Sequence, residues 1–131
     1  MFYINRNSVD ELLNNSEYAK TAWNHLERLY EYASYVMKFE NKMKMIQVTA
    51  FDTEDFQNRV KNLDEGRRLK HEAAISSLSV LNKIAERINV DCVYEGTISI
   101  DPDYRGEIAT AIFEFCKQNL DLDKYGILEK K

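Results

Sequence analysis

Proline occurs once and glycine four times in 131 residues. That is too few for an all-β sandwich with a turn every ten residues, and it favours long uninterrupted helices. Cysteine occurs twice, as Cys92 and Cys116 with no CxxC spacing, which excludes a disulfide framework or a paired-cysteine zinc motif. Two reduced structural thiols in a reducing cytosol are the expectation. No excess of positive charge exists either: 18 Lys plus Arg against 22 Asp plus Glu give a net charge of −4. Whole-protein attraction to nucleic acid or anionic lipid is therefore absent, and direct nucleic-acid binding is not expected. Long apolar runs are missing, the most apolar helical stretch being broken by Lys83, Glu86 and Arg87, so no membrane span is expected. The N-terminal MFYINRNSVDELLNN has no basic region followed by an apolar run, which points to a cytoplasmic protein.

Catalytic signatures are also scarce. The chain contains no GxSxG, GxGxxG, GxxxxGK[ST] or ExxE, and each of its two histidines, His25 and His71, lacks a second histidine within a helical turn. Asp52 with Asp55, and Asp101 with Asp103, read as helix caps and first-turn acids. No catalytic residue, metal site or cofactor is assigned on this basis.

What is present is a composition able to bury a core, with 44% hydrophobic and 31% charged residues. One helical domain over residues 1–131 is expected. Ser8 and Glu11 form a capping-box pattern for a short helix over 8–14, closed by Asn14 and Asn15. From Ser16 onward, apolar residues at spacings of three and four, among them Ala22, Leu26, Leu29, Ala33 and Met43, predict one helix over about 16–48. Asp52 as N-cap, acids in the first turn, and a stripe through Phe56, Leu63, Ala74, Leu78 and Ile88 predict a second over about 53–88. The short connection, Thr49 to Asp52, folds the two into an antiparallel hairpin. Arms this long need another helix or a second subunit to cover them, so a homo-oligomer, dimer or higher, is expected. Residues 90–100 are compatible with an extended loop or a short β excursion. Asp101-Pro102 opens a shorter C-terminal helix over about 102–119, and Leu122, Tyr125, Ile127 and Leu128 offer side chains with which the tail can dock. The class is all-α.

The second stripe fails between Leu63 and Ala74, where inward positions fall on Arg67 and on Lys70 or His71. Gly66 sits beside them inside the helix, at a cost of about 1 kcal/mol relative to Ala unless a close backbone approach requires it. In a hairpin turning near residue 50, the facing turns carry Glu27, Tyr30, Glu31 and Tyr35. The plainer reading extends Arg67 and Arg68 to solvent along their aliphatic stems, with His71 at the core edge. The functional reading gathers Arg67, Arg68, Lys70 and His71 into a cationic cluster for a phosphate or carboxylate, with Glu27, Tyr30 and Glu31 around it. A third uses the polar break to fix the register of an oligomer.

The segment LDEGRRLKHEAAISSLSVLNKIAERINV, residues 63–90, resembles a stretch in a family of small uncharacterised helical proteins of Gram-positive bacteria and their phages. The resemblance is carried by Arg67-Arg68 followed by His71, by Ala73-Ala74-Ile75 and by Leu78 to Asn82. It implies a location for a site and a mobile-element origin, and no reaction. The leading expectation is a noncatalytic binding protein, of a phage-type anti-defence kind, that binds a host protein or sequesters a small anionic or nucleotide ligand. The alternatives are a structural oligomerisation module without a ligand, and a small hydrolase or transferase using His71 with Glu27, Glu31 or Glu72.

Overall fold

The computed structural model describes residues 2–96 and 107–119. Its first element is strand β1 (Tyr3–Ile4), which pairs antiparallel with β2 (Tyr94–Glu95) in the register Tyr3 to Glu95 and Ile4 to Tyr94. Within the predicted loop or β excursion over 90–100, Tyr94–Glu95 is thus a strand held by the N-terminus, and residues 97–100 lie outside the described residues. Asn5 continues the pairing by donating its backbone N–H to the Val93 carbonyl at 2.7 Å. Held extended in this way, Asn5 caps helix α1 (Arg6–Leu13), its side chain accepting the Ser8 N–H. The helix begins two residues earlier than the Ser8 capping box predicts, and Ser8 is buried inside its first turn. Asn14 closes α1, and the Asn15 side chain accepts the N–H groups of Glu17 and Tyr18 to start the next turn.

The predicted helix over 16–48 is two helices, α2 (Ala19–Met37) and α3 (Phe39–Thr49). Lys38 separates them at φ −95° and ψ −1°. Hydrogen bonds from Lys38 to Ser34 and from Lys42 to Lys38 keep the rod nearly continuous. The interruption coincides with a change of buried stripe, from Leu26, Leu29 and Ala33 to Tyr32, Phe39 and Ile46. No glycine or proline stands there.

Helix α4 (Thr53–Arg87) runs antiparallel to α2 and α3 for about 50 Å at 1.5 Å per residue. Asp52 accepts the Asp55 N–H at 2.8 Å, while the Asp55 carboxylate accepts the Phe51 N–H at 2.9 Å. This reciprocal cap makes the hairpin turn a sharp helix start. At the other end Asn89 takes φ +60°, and the N–H groups of Val90 and Asn89 return to the carbonyls of Ala85 and Glu86. That is a Schellman ending with Asn in the left-handed position. Helix α5 (Glu107–Asn119) buries Ile108, Ile112, Phe115 and Cys116 against α2 and β1. The predicted cap at Asp101-Pro102 and the tail from Asp121 lie outside the described residues. Among the described residues the fold is all-α with one two-stranded pairing.

The apolar interior is divided. The main core joins α1, α2, α5 and the C-terminal half of α4 around Leu12, Leu26, Leu29, Leu78, Leu81 and Ile112. A second, smaller core holds the distal arm, α3 against the N-terminal half of α4, through Phe39, Ile46 and Leu63. Between the two lies the interrupted part of the α4 stripe.

Candidate functional site

The polar break lands where the α4 stripe predicts. Arg67 and His71 point inward and are 7% and 3% exposed. Arg67 donates to the Asp64 carboxylate at 3.1 Å, and its guanidinium lies 4.2 Å from the centre of the Phe39 ring. The expectation that Arg67 reaches solvent along its stem is therefore corrected. Phe39 follows the α2–α3 break and supplies an aromatic face on which a desolvated guanidinium is favourable. His71 meets the Tyr32 ring edge-on, with centroids 5.5 Å apart. Burial raises the Tyr32 phenol above its usual pKa, and the nearby Arg67 charge opposes that rise.

Gly66 has a steric reason. The Tyr35 hydroxyl of α2 donates to the Leu63 carbonyl at 2.9 Å, and its ring lies across the α4 backbone. A Cβ on residue 66 would stand 2.5 Å from that hydroxyl oxygen. Lys42 lies 4.0 Å from the centre of the Tyr35 ring and Lys70 5.7 Å from it. Lys70 also approaches Glu31 at 3.9 Å. Despite this plug, α4 is a continuous helix through residue 66.

The remaining predicted residues diverge. Arg68 faces outward and is bound on its own helix by Glu65 at i−3 and by Glu72 at i+4, the latter at 2.7 Å. These acids raise the Arg68 pKa, and Arg68 in turn lowers that of Glu65. Glu27 is exposed on α2. Tyr30 lies on a different face, stacked on Phe113 of α5 with centroids 5.7 Å apart. The compact cluster of Arg67, Arg68, Lys70 and His71 is thus split into a buried pair, an outward arginine held by acids, and a half-buried lysine. Glu72, one of the acids considered for His71, is engaged by Arg68.

Sequence reasoning missed three partners: Asp64, Phe39 and Tyr32. Asp64 stands one helical turn before Arg67, an i, i+3 spacing that predicts such a pair. Phe39 and Tyr32 depend on the shift of stripe at Lys38, which leaves no mark in the periodicity. It also missed a bond in the main body, where His25 Nδ1 lies 3.0 Å from Ser77 Oγ. Burial, and secondarily Arg28, lowers the His25 pKa below its usual 6.5. Ser77 is fully buried, so this pair joins α2 to α4 and does not face a cleft. Cys116 is likewise buried, with its thiol pushed up to about 12 by desolvation, whereas Cys92 is exposed.

Most of the exposed large apolar side chains gather elsewhere. Met37 at the end of α2, Met45 and Val48 on the outer side of α3 and Phe51 at the hairpin turn lie along the distal arm, Val48 79% and Phe51 91% exposed; Leu69 on α4 and Tyr3 on β1 are exposed as well. Among the described residues no helix is long and apolar enough to cross a membrane. No group of three or more His, Cys, Asp or Glu among them is arranged to hold a metal ion.

A family model described as a protein of unknown function, DUF3232, matches residues 10–118. The chain belongs to the DUF3232 family. The match includes the polar layer and the whole α2–α3–α4 hairpin, so both are features of the part of the chain that defines DUF3232 membership. No curated protein and no solved structure matches the chain.

Proposed function

We propose that this DUF3232 protein is a noncatalytic binding protein that works by protein contact through its distal helical arm. One observation carries the reading. The cations of the polar layer have partners inside the fold, and four of the exposed large apolar side chains, Met37, Met45, Val48 and Phe51, stand together along the distal arm. Arg67 is matched by Asp64 and Phe39, Arg68 by Glu65 and Glu72, and Lys70 by Glu31 and Tyr35. A bound anion would compete with these contacts. An apolar strip that stays in water, by contrast, has its favourable term still to gain. A phage-type anti-defence role in the cytoplasm is one form such binding would take, the resemblance over residues 63–90 contributing the mobile-element origin and no activity.

Site-specific photocrosslinking tests the reading. A photoreactive residue placed at position 48 is expected to form covalent adducts with protein during expression, and one placed at position 72 on the outer side of α4 is not. Equal crosslinking from both positions, or none from position 48, contradicts it.

A further inference from the structure

Met37, Asn41, Lys44 and Val48 follow one another at intervals of four, three and four residues, so they form a single stripe along the outer side of the α2–α3 rod. Met45 and Glu40 flank it. Met37, Met45 and Val48 are exposed, as is Phe51 at the turn. Glu40 and Lys44 are exposed too, and neither forms an ion pair within the described residues.

We infer that this stripe is a self-complementary interface on which a second copy of the chain lies antiparallel. The inference rests on the reading of the arm as a binding surface and names its partner. A two-fold axis passing between residues 42 and 43 sets Met37 of one copy against Val48 of the other, twice. The same axis sets Asn41 against Lys44, and brings Glu40 of one copy within reach of Lys44 of the other. Apolar pairs then close both ends of the contact, and two opposite-charge pairs occupy its middle. Such agreement is what an isologous contact requires, because every residue on the face must suit its symmetry mate. A parallel pairing would place Lys44 against Lys44 and Glu40 against Glu40, which charge repulsion disfavours.

The area sets the strength. The bare apolar side chains on the stripe, Met37, Met45 and Val48, make a patch on the order of a few hundred Å² per copy. Two copies would bury that patch twice together with the polar middle, on the order of 1,000 Å² in all, at the lower end of specific interfaces. A weak, concentration-dependent dimer follows.

Sedimentation velocity of the full chain across a hundredfold range of concentration tests this, with circular dichroism confirming that each variant keeps its helices. The expected result is a reversible monomer–dimer equilibrium that Val48→Glu weakens at least tenfold. Glu40→Lys and Lys44→Glu are each expected to weaken it several-fold, and the double variant Glu40→Lys/Lys44→Glu to restore it, because exchanging both charges in one chain restores opposite charges across the axis. A dimer that Val48→Glu leaves intact, or single losses without restoration in the double variant, overturns the antiparallel pairing. A monomer throughout overturns self-association: protein adducts from position 48 would then leave the arm as a binding face for a different protein, and their absence would remove both readings together.

Discussion

At residue 66 an ordinary rule reverses. Exchanging a helix-interior glycine for alanine usually gains about 1 kcal/mol. Here the added methyl meets the Tyr35 hydroxyl at 2.5 Å, an overpacking that costs about 1–3 kcal/mol. Gly66→Ala is therefore expected to lower the melting temperature, and Tyr35→Phe in the same chain to recover part of the loss by removing the clashing oxygen. Thermal unfolding of the two single variants and the double variant checks this, and a stabilised Gly66→Ala protein would contradict it. The glycine and its possible reason were legible in the sequence. Tyr35 was legible only as a facing residue, because helical spacing gives the level of a side chain and not the direction in which its hydroxyl reaches.

His25 gives a residue-scale dependence on pH. Its folded pKa lies below the unfolded 6.5, chiefly through burial. The fold therefore favours the neutral ring, and the stability tied to it is complete above pH 6.5 and declines as the pH falls through 6.5 toward the folded value. The melting temperature is expected to fall between pH 7.5 and pH 5.5, and to fall less in His25→Gln. An identical decline in the variant would assign the effect to other groups. Glu65 acts in the same direction at lower pH, since Arg68 holds its carboxylate below 4.5. Glu65 is exposed on α4, so its contribution is small.

At the scale of elements, the two cores are unequal. Among the described residues the arm is held by three buried apolar residues, Phe39, Ile46 and Leu63, with partly buried neighbours, whereas the body draws on twenty. Amide protons of α3 are thus expected to exchange through openings of lower free energy than those of the α2 centre or the C-terminal half of α4. Native-state hydrogen exchange measures this directly, and uniform protection along the hairpin would contradict a separate arm. The antiparallel hairpin, the Asp52 cap and the end of α4 near residue 88 were readable because each depends on local spacing and capping chemistry. The division of the first long helix was not. It coincides with a tertiary contact, Phe39 against Arg67 of the facing helix, and no residue near Lys38 breaks a helix by itself. The pairing of Tyr94–Glu95 was hidden for a similar reason, because its partner lies ninety positions away at Tyr3–Ile4.

For the whole molecule, the decisive contrast is between charge used inside the fold and apolar surface left outside it. Sequence spacing located Arg67 and His71 on the inward face, yet it also gathered Arg68 and Lys70 with them. Helix geometry alone does not say that Glu65 and Glu72 hold Arg68 on the outside. On the proposed reading these cations are engaged by acids and rings of the chain itself, and binding belongs to the arm. The measurement that tests it most directly is thermal unfolding in the presence of inorganic phosphate, nucleoside mono- and triphosphates, and citrate, at concentrations up to the millimolar range. A ligand present at a hundred times its dissociation constant stabilises by about 2.7 kcal/mol, which for a chain of this size raises the melting temperature by on the order of 10 °C. No such rise is expected with any of these anions. A rise of that size that disappears in Arg67→Ala or Arg68→Ala would contradict the reading and make the cationic layer the binding site.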